Sequence, residues 1–467
     1  MGLAVMGLAR LSFAEPAVDW EVSGTASVGF TDNVANTAEP DPNDAAATAP
    51  EADGFGSISP AARLQIETPT TTQTLTYAFG YNFYFRHSEA NAFSNALGYG
   101  LRVQASELVE TTMSLSFSQS TTSQFNLASS AGSSTATPTA AGNNIILFAG
   151  AGLGFSEQLG ETLSATQSLS ATLGHTVIED GDDTETIVGG LSFGLAKEFV
   201  RDTLAFEQGN ELEYTPEQTP ATGDPIAARA QVLHRVRGVW GHAFNEEWSS
   251  QLGLGIVVGY DAVSGTLPIP QPSGLAALTW RHRMGTVELS YAHDAQPNLL
   301  LQEITVDDSG SLRAQVELPF GFDITGSGGV RVSRAWLAEQ GLGPPTLNVL
   351  ADAAVGYTPA TAPLRLELRY QFSRQQPLES DVDVHGQTIA TIMRNTVLLS
   401  LTFAWPGAPT AGGAAPFVTV PAPTTNPDIL SQAAPRTERA LEEERTTEDR
   451  ERREDRERRG GSGSGEP

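Results

Sequence analysis

From Asp19 to Trp405 the side chains change character at almost every second residue, and this period of two constrains the fold more than any other feature of the chain. Leu75, Tyr77, Phe79, Tyr81, Phe83 and Phe85 form one unbroken apolar stripe, and Leu252, Leu254, Ile256, Val258 and Tyr260 form another. Leu364, Leu366, Leu368, Tyr370 and Phe372 follow the same rule. A β-strand sends successive side chains to opposite faces, so each run has one apolar and one polar face. The last run, Arg394 to Trp405, carries Val397, Leu399, Leu401, Phe403 and Trp405 on one side. An apolar face ending in two aromatics suits a strand whose outside meets lipid and whose end sits at a membrane interface.

Marking every such run gives about eighteen strands, from roughly 19–31 to 392–405. The gaps between them alternate in length. Long gaps fall at 32–54, 88–95, 123–143, 177–184, 215–227, 261–273, 295–308, 334–346 and 374–391, with short turns between. Outer-membrane barrels pair long external loops with short periplasmic turns, and an even strand number leaves both ends on one side. The expected fold is therefore all-β: a transmembrane antiparallel up-and-down β-barrel of about eighteen strands, localised to the outer membrane of a Gram-negative cell. The strand beginning near Trp20 and the strand ending at Trp405 would seal the wall.

Composition narrows the function. A net charge of -28 argues against a nucleic-acid partner, which requires a basic face. The absence of cysteine removes disulfides and thiolate metal sites. No run of 18 uncharged apolar residues follows the N-terminus, so membrane-spanning helices are not expected.

The ends differ from the middle. Residues 1–14 read as an export signal peptide, with Ser12 and Ala14 placed before a cut at Glu15, although Arg10 interrupts the apolar core. Residues 15–405 make the barrel. Residues 406–435 form a Pro/Ala-rich linker, and 436–467 a charged tail, disordered or helical, that the strand count places in the periplasm.

If the apolar residues meet lipid, those between them line the lumen. The candidates are Asn82, Arg86, Glu207, Glu211, Glu213, Arg235, Arg237, Arg281, Arg283, Glu288, Arg313, Glu317, Arg331, Arg365, Glu367, Arg369 and Arg394. Barrels of sixteen to eighteen strands leave an aqueous channel. The arginines could contact a polar or anionic solute in transit. They could equally pair across strands with the glutamates and stiffen the wall. The acidic external loops, Asp41–Asp44, Glu179–Glu185 and Asp381–Asp383, could bridge to lipopolysaccharide through a divalent cation or simply face water.

No catalytic residue, cofactor or metal is expected. Gly190-Leu-Ser192-Phe-Gly194 fits the GxSxG pattern of hydrolases, but a nucleophile elbow needs a strand, a sharp turn and a helix, whereas Ser192 lies in a continuous alternating run. The glycines of 150–154 and 253–259 precede no helix, and the seven histidines are scattered.

Gly29-Phe30-Thr31-Asp32-Asn33-Val34, an aromatic followed by Asp-Asn at the mouth of the first strand, resembles the opening of large outer-membrane barrels encoded with exopolysaccharide assembly systems, the porins of the PEP-CTERM and myxobacterial polysaccharide-secretion type. The likeness extends loosely over Trp20 to Trp405. It implies a channel that carries a polysaccharide cargo across the outer membrane with a separate periplasmic export protein, for which the tail is one candidate docking element. The alternatives are an uptake porin, marked by a loop folded inward from 32–54 or 123–143, and a structural or adhesive envelope barrel.

Overall fold

In the computed structural model the alternating runs are strands of 12 to 17 residues, each antiparallel to the next. The structure describes residues 16–406 apart from 35–49, 122–144, 178–182, 218–226, 264, 266–268, 299–302, 338–340, 361, 379–382, 385–386 and 389–390. The export signal, nearly all of the linker, the charged tail, the loop 123–143 and most of the acidic loop residues lie outside the described residues.

The wall begins with β1 (Ala17–Thr31), β2 (Asp53–Glu67), β3 (Thr71–Tyr84), β4 (Ala92–Ser106), β5 (Val109–Thr121) and β6 (Ile145–Gln158). It continues with β7 (Leu163–Val177), β8 (Thr184–Glu198), β9 (Asp202–Thr215), β10 (Arg229–Ala243), β11 (Trp248–Asp261) and β12 (Gln271–His282). The circuit ends with β13 (Gly285–Asn298), β14 (Glu303–Glu317), β15 (Phe322–Leu337), β16 (Gly341–Tyr357), β17 (Leu364–Pro377) and β18 (Ile392–Trp405). Strand β18 pairs with β17 on one side and with β1 on the other, from Val22 opposite Trp405 to Thr31 opposite Thr396. Eighteen strands thus close on themselves and no wall edge is left.

Burial separates the two faces. On β17, Leu366, Leu368 and Tyr370 are 46, 54 and 44 % exposed, whereas Arg365, Glu367 and Arg369 between them are 1, 3 and 8 % exposed. The apolar side is outward and the charged side enclosed. A closed sheet satisfies every wall backbone group internally, which hydrocarbon demands, and an apolar outside is stable there rather than in water. The protein is a transmembrane β-barrel of the outer-membrane type. Trp20, Trp240, Trp248, Trp280 and Trp405 all sit near the end where the turns are short, with Trp248 and Trp280 rings 6.4 Å apart and Phe322 and Tyr357 rings 4.7 Å apart. They form an aromatic belt at the periplasmic interface.

The strict alternation of gap lengths fails at two places. Strands β13 to β16 run past the limits that the sequence suggests, so the expected loops 295–308 and 334–346 shrink to 299–302 and 338–340. Pro297, Asp307-Asp308 and Pro344-Pro345 read as loop punctuation, yet here they ride in the paired outer ends of these strands, past the about 9–11 residues that suffice to cross the membrane.

The Phe-Thr-Asp-Asn-Val segment clasps the seam between the first and last strands. Asp32 accepts the Asn395 backbone N–H at 2.7 Å through Oδ1 and its side-chain amide at 2.6 Å through Oδ2. Asn33 is fully buried and donates from Nδ2 to the Met393 carbonyl at 3.0 Å. Val34 packs with Phe55, Tyr84 and Ala90 on the inner side of the external rim. Arg394 donates to Thr31 Oγ1 and to the Tyr84 hydroxyl, both at 3.2 Å.

Candidate functional site

Residues directly opposite each other across antiparallel strands share a face, so the register traces the lumen surface around the barrel. One such ring runs Thr76, Gly98, Ser116, Gly150, Thr172, Val188 and Glu213. From β3 to β8 the ring holds only small or neutral side chains, and the rows above and below repeat it: Ser114 faces Gly152, and Ser168 faces Ser192. The hydroxyls lie back on the wall. A methyl group placed on Gly150 would stand 2.7 Å from Ser116 Oγ, and Ser168 Oγ lies 2.5 Å from Ser192 Oγ. Ser192 is thereby fixed in the middle of a strand, with no elbow around it.

From β9 to β17 the same surface carries charge, concentrated on β9 and β10 and on β13 to β17. Arg237 donates to Glu207 Oε2 from Nη2 at 2.6 Å and from Nε at 2.9 Å. Arg235 reaches Glu211 at 3.4 Å and Asp294 at 2.9 Å, and Arg331 reaches Asp307 at 2.5 Å. Nearer the periplasm, Arg365 crosses the whole of β16 to hold both oxygens of Asp323, with Nη2 2.8 Å from Oδ1, and also meets Glu367 at 2.9 Å. It can cross because Gly356, directly between Asp323 and Glu367 in the ladder, has no side chain; a Cβ there would overlap the guanidinium. Arg369 completes the chain with Glu367 at 2.9 Å and Asp352 at 3.8 Å. Bidentate arginine–carboxylate contacts of this kind are strong and directional, and here they fix the side chains against the wall.

The structure gathers Glu207, Glu211, Arg235 and Arg237 at one recess, floored by Ser168, Ser170, Gly190, Ser192 and Gly209. Glu213 is buried one step higher on β9. Arg331, Arg365, Glu367, Arg369 and Arg394 are buried on the lumen face, as is Asn82. Glu288 and Arg313 face each other across β13 and β14 and are exposed. Arg281 and Glu317 stand at the periplasmic ends of β12 and β14. Two candidates lie off the wall. Strand β3 ends at Tyr84, so Arg86 is on the external rim, where its backbone N–H donates to Asp53 Oδ2 at 2.7 Å; Arg283 is in the β12–β13 turn.

Sequence reasoning missed Asp294, Asp307, Asp323 and Asp352, the carboxylates that partner most of these arginines. Asp352 was accessible from parity, because Val349 and Val355 set the lipid face of β16 and Asp352 falls on the other. Asp294 and Asp307 fell outside or at the end of the expected strands.

No family model and no curated protein matches the chain. Among solved structures it is similar to the FrpB iron transporter of Neisseria meningitidis, with a TM-score of 0.45 and 9% identity over 83% of this chain and 81% of that one. It is similar to OccAB3 of Acinetobacter baumannii, with a TM-score of 0.43 and 10% identity over 83% of this chain and 100% of that one. It is also similar to the outer-membrane protein OpdK of Pseudomonas aeruginosa, with a TM-score of 0.40 and 12% identity over 83% and 99% of the two chains.

Proposed function

We propose that this barrel is an outer-membrane channel that translocates a secreted polysaccharide, working with a separate periplasmic export protein. The observation that carries the reading is the neutral arc of β3 to β8, where serine, threonine and glycine line the lumen. A chain rich in hydroxyl groups can exchange hydrogen bonds with such a surface at every step, since each wall hydroxyl both donates and accepts. Across the middle of that arc no fixed ion would arrest it, and Arg102 and Glu110, toward the periplasmic end, are paired with each other. The opposing arc is charged, but its arginines Arg235, Arg237, Arg331, Arg365 and Arg369 are paired with carboxylates, which leaves a polar surface there rather than an anion trap.

Deleting the gene and measuring surface polysaccharide tests this directly: a marked loss is expected, and normal surface polysaccharide in the deletion strain overturns the reading. An uptake porin is the second reading, favoured by an inward-folded hairpin at the external mouth. It predicts solute-sensitive conductance in planar bilayers together with unchanged surface polysaccharide.

A further inference from the structure

The external ends of β13 and β14 part from β12 and turn inward together with the end of β15, to which β14 stays paired as far as Thr305 opposite Ala335. Lower on these strands Leu289 faces Leu312, and Tyr291 faces Gly310, with Leu289, Tyr291 and Leu312 about half exposed toward lipid. Higher on the same face Ala295 stands opposite Val306, and both are 0 % exposed. What covers them is the inside of the barrel. They pack with Ile304 and Trp336 against Leu233 of β10 and Val257 of β11. Leu233 and Val257 share the lumen face with Arg235, while Val236 and Ile256 beside them face lipid.

Polar contacts report the same fold. The Ile304 N–H donates to Gln231 Oε1 at 3.4 Å, and Arg235 donates to Asp294 Oδ1 at 2.9 Å and to the Ala295 carbonyl at 2.5 Å. Strands β10 and β14 are four places apart, about 19 Å along a flat wall at ~4.8 Å per strand, which no glutamine side chain spans. The hairpin must therefore bend into the lumen.

The sequence explains why it can. Strand β12 begins its pairing with β13 only at Gly274 opposite His293, so β13 from Asp294 upward has no neighbour on that side. Pro270 and Pro272, where β12 would extend, lack the N–H groups to continue the ladder. Two features keep the bend from being a rigid part of the core. Asp294 stands directly opposite Asp307, a like-charge pair that is held by Arg235 from across the bend and by Arg331 from β15. The Trp336 indole N–H is buried without a hydrogen-bond partner.

We infer that the β13–β14 hairpin end is a flap that narrows the external mouth of the barrel, seated on β10 and β11 by an apolar seam and positioned by Arg235. Its effect on transport rests on the channel reading; its seating does not. Opening the flap widens the mouth and raises the cross-section of solute that passes.

The chain has no cysteine, so introduced thiols report cleanly. In Val306→Cys the thiol is sealed in the seam, and labelling of intact barrels with a membrane-impermeant maleimide should be slow. Adding Arg235→Gln, or separately Leu233→Asn, should accelerate labelling about tenfold or more by raising the population of the open form. In planar bilayers the same release variants should show conductance about twofold above the parent, because the narrowest ring sets ion flow. Bridging Gln231→Cys to Ile304→Cys with a short cleavable thiol crosslinker should hold the Arg235→Gln barrel at parental conductance until the link is cut, which also shows that the variant is folded. Labelling of Val306→Cys as fast as in the release variants overturns the flap, and so does conductance that ignores both release and crosslinking. Labelling that responds while no variant conducts retains the flap and overturns the channel reading.

Discussion

The two sides of the lumen solve the same problem in opposite ways. Across the middle of β3 to β8 the wall uses residues too small to intrude, with hydroxyls folded over facing glycines. From β9 to β17 it uses long charged side chains and then ties them down, as Arg365 is tied across β16 to Asp323. A large charged side chain in a lumen costs little when water reaches it and much when it is sealed without a partner. The small arc limits that cost by holding few charges, and the charged arc limits it by pairing its buried arginines with carboxylates, although single oxygens such as Glu211 Oε2 and Asp307 Oδ1 stay buried without a hydrogen bond. The lesson is that a polar lumen is not one environment: the small arc tolerates change, and the charged arc carries the rigidity.

That contrast can be broken by measurement. Arg365→Leu should have the largest effect, about 3–5 kcal/mol lost from stability, because Asp323 and Glu367 are left buried without their cation; urea unfolding of the reconstituted barrel followed by tryptophan fluorescence reads it. Gly356→Ala should cost about 1–3 kcal/mol by forcing the Arg365 guanidinium off its path, with the same readout. Glu288→Gln should cost less than about 1 kcal/mol, since that charge faces Arg313 in the open. Ser116→Ala, on the small arc, should stay within about 0.5 kcal/mol. A Ser116→Ala cost equal to that of Arg365→Leu would end the distinction between the arcs.

Much of this was legible in the sequence, and the reason is geometric. Period two in a closed barrel assigns both strand and face, so β17 and β18, the aromatic ends and the enclosed position of Arg365, Glu367 and Arg369 follow from alternation alone. Alternation fails where a strand end changes its surroundings. At Ala295 and Val306 the face that meets lipid below is turned onto the barrel's own lining above, and nothing in the local pattern marks the turn. The ion pairs were half visible for a related reason. Glu207 and Arg237 are direct ladder partners and could be paired on paper, whereas Arg365–Asp323 skips a strand and Arg235–Asp294 skips two. Such pairs depend on the curvature of the wall, which a one-dimensional pattern does not encode.

The Asp32–Asn33 clasp bears on how the first strand recognises the last. A slip of one residue between β1 and β18 would turn lipid-facing side chains inward and is rejected by patterning. A slip of two keeps every face correct and nearly all of the backbone ladder, so the hydrophobic pattern is blind to it. The clasp is not, because Asp32 meets both amides of Asn395, and Asn33 meets the Met393 carbonyl, in one register only. Backbone edges pair with almost any strand. These two side chains make the final seam discriminating, so that the sheet distinguishes its own end from a near copy of it.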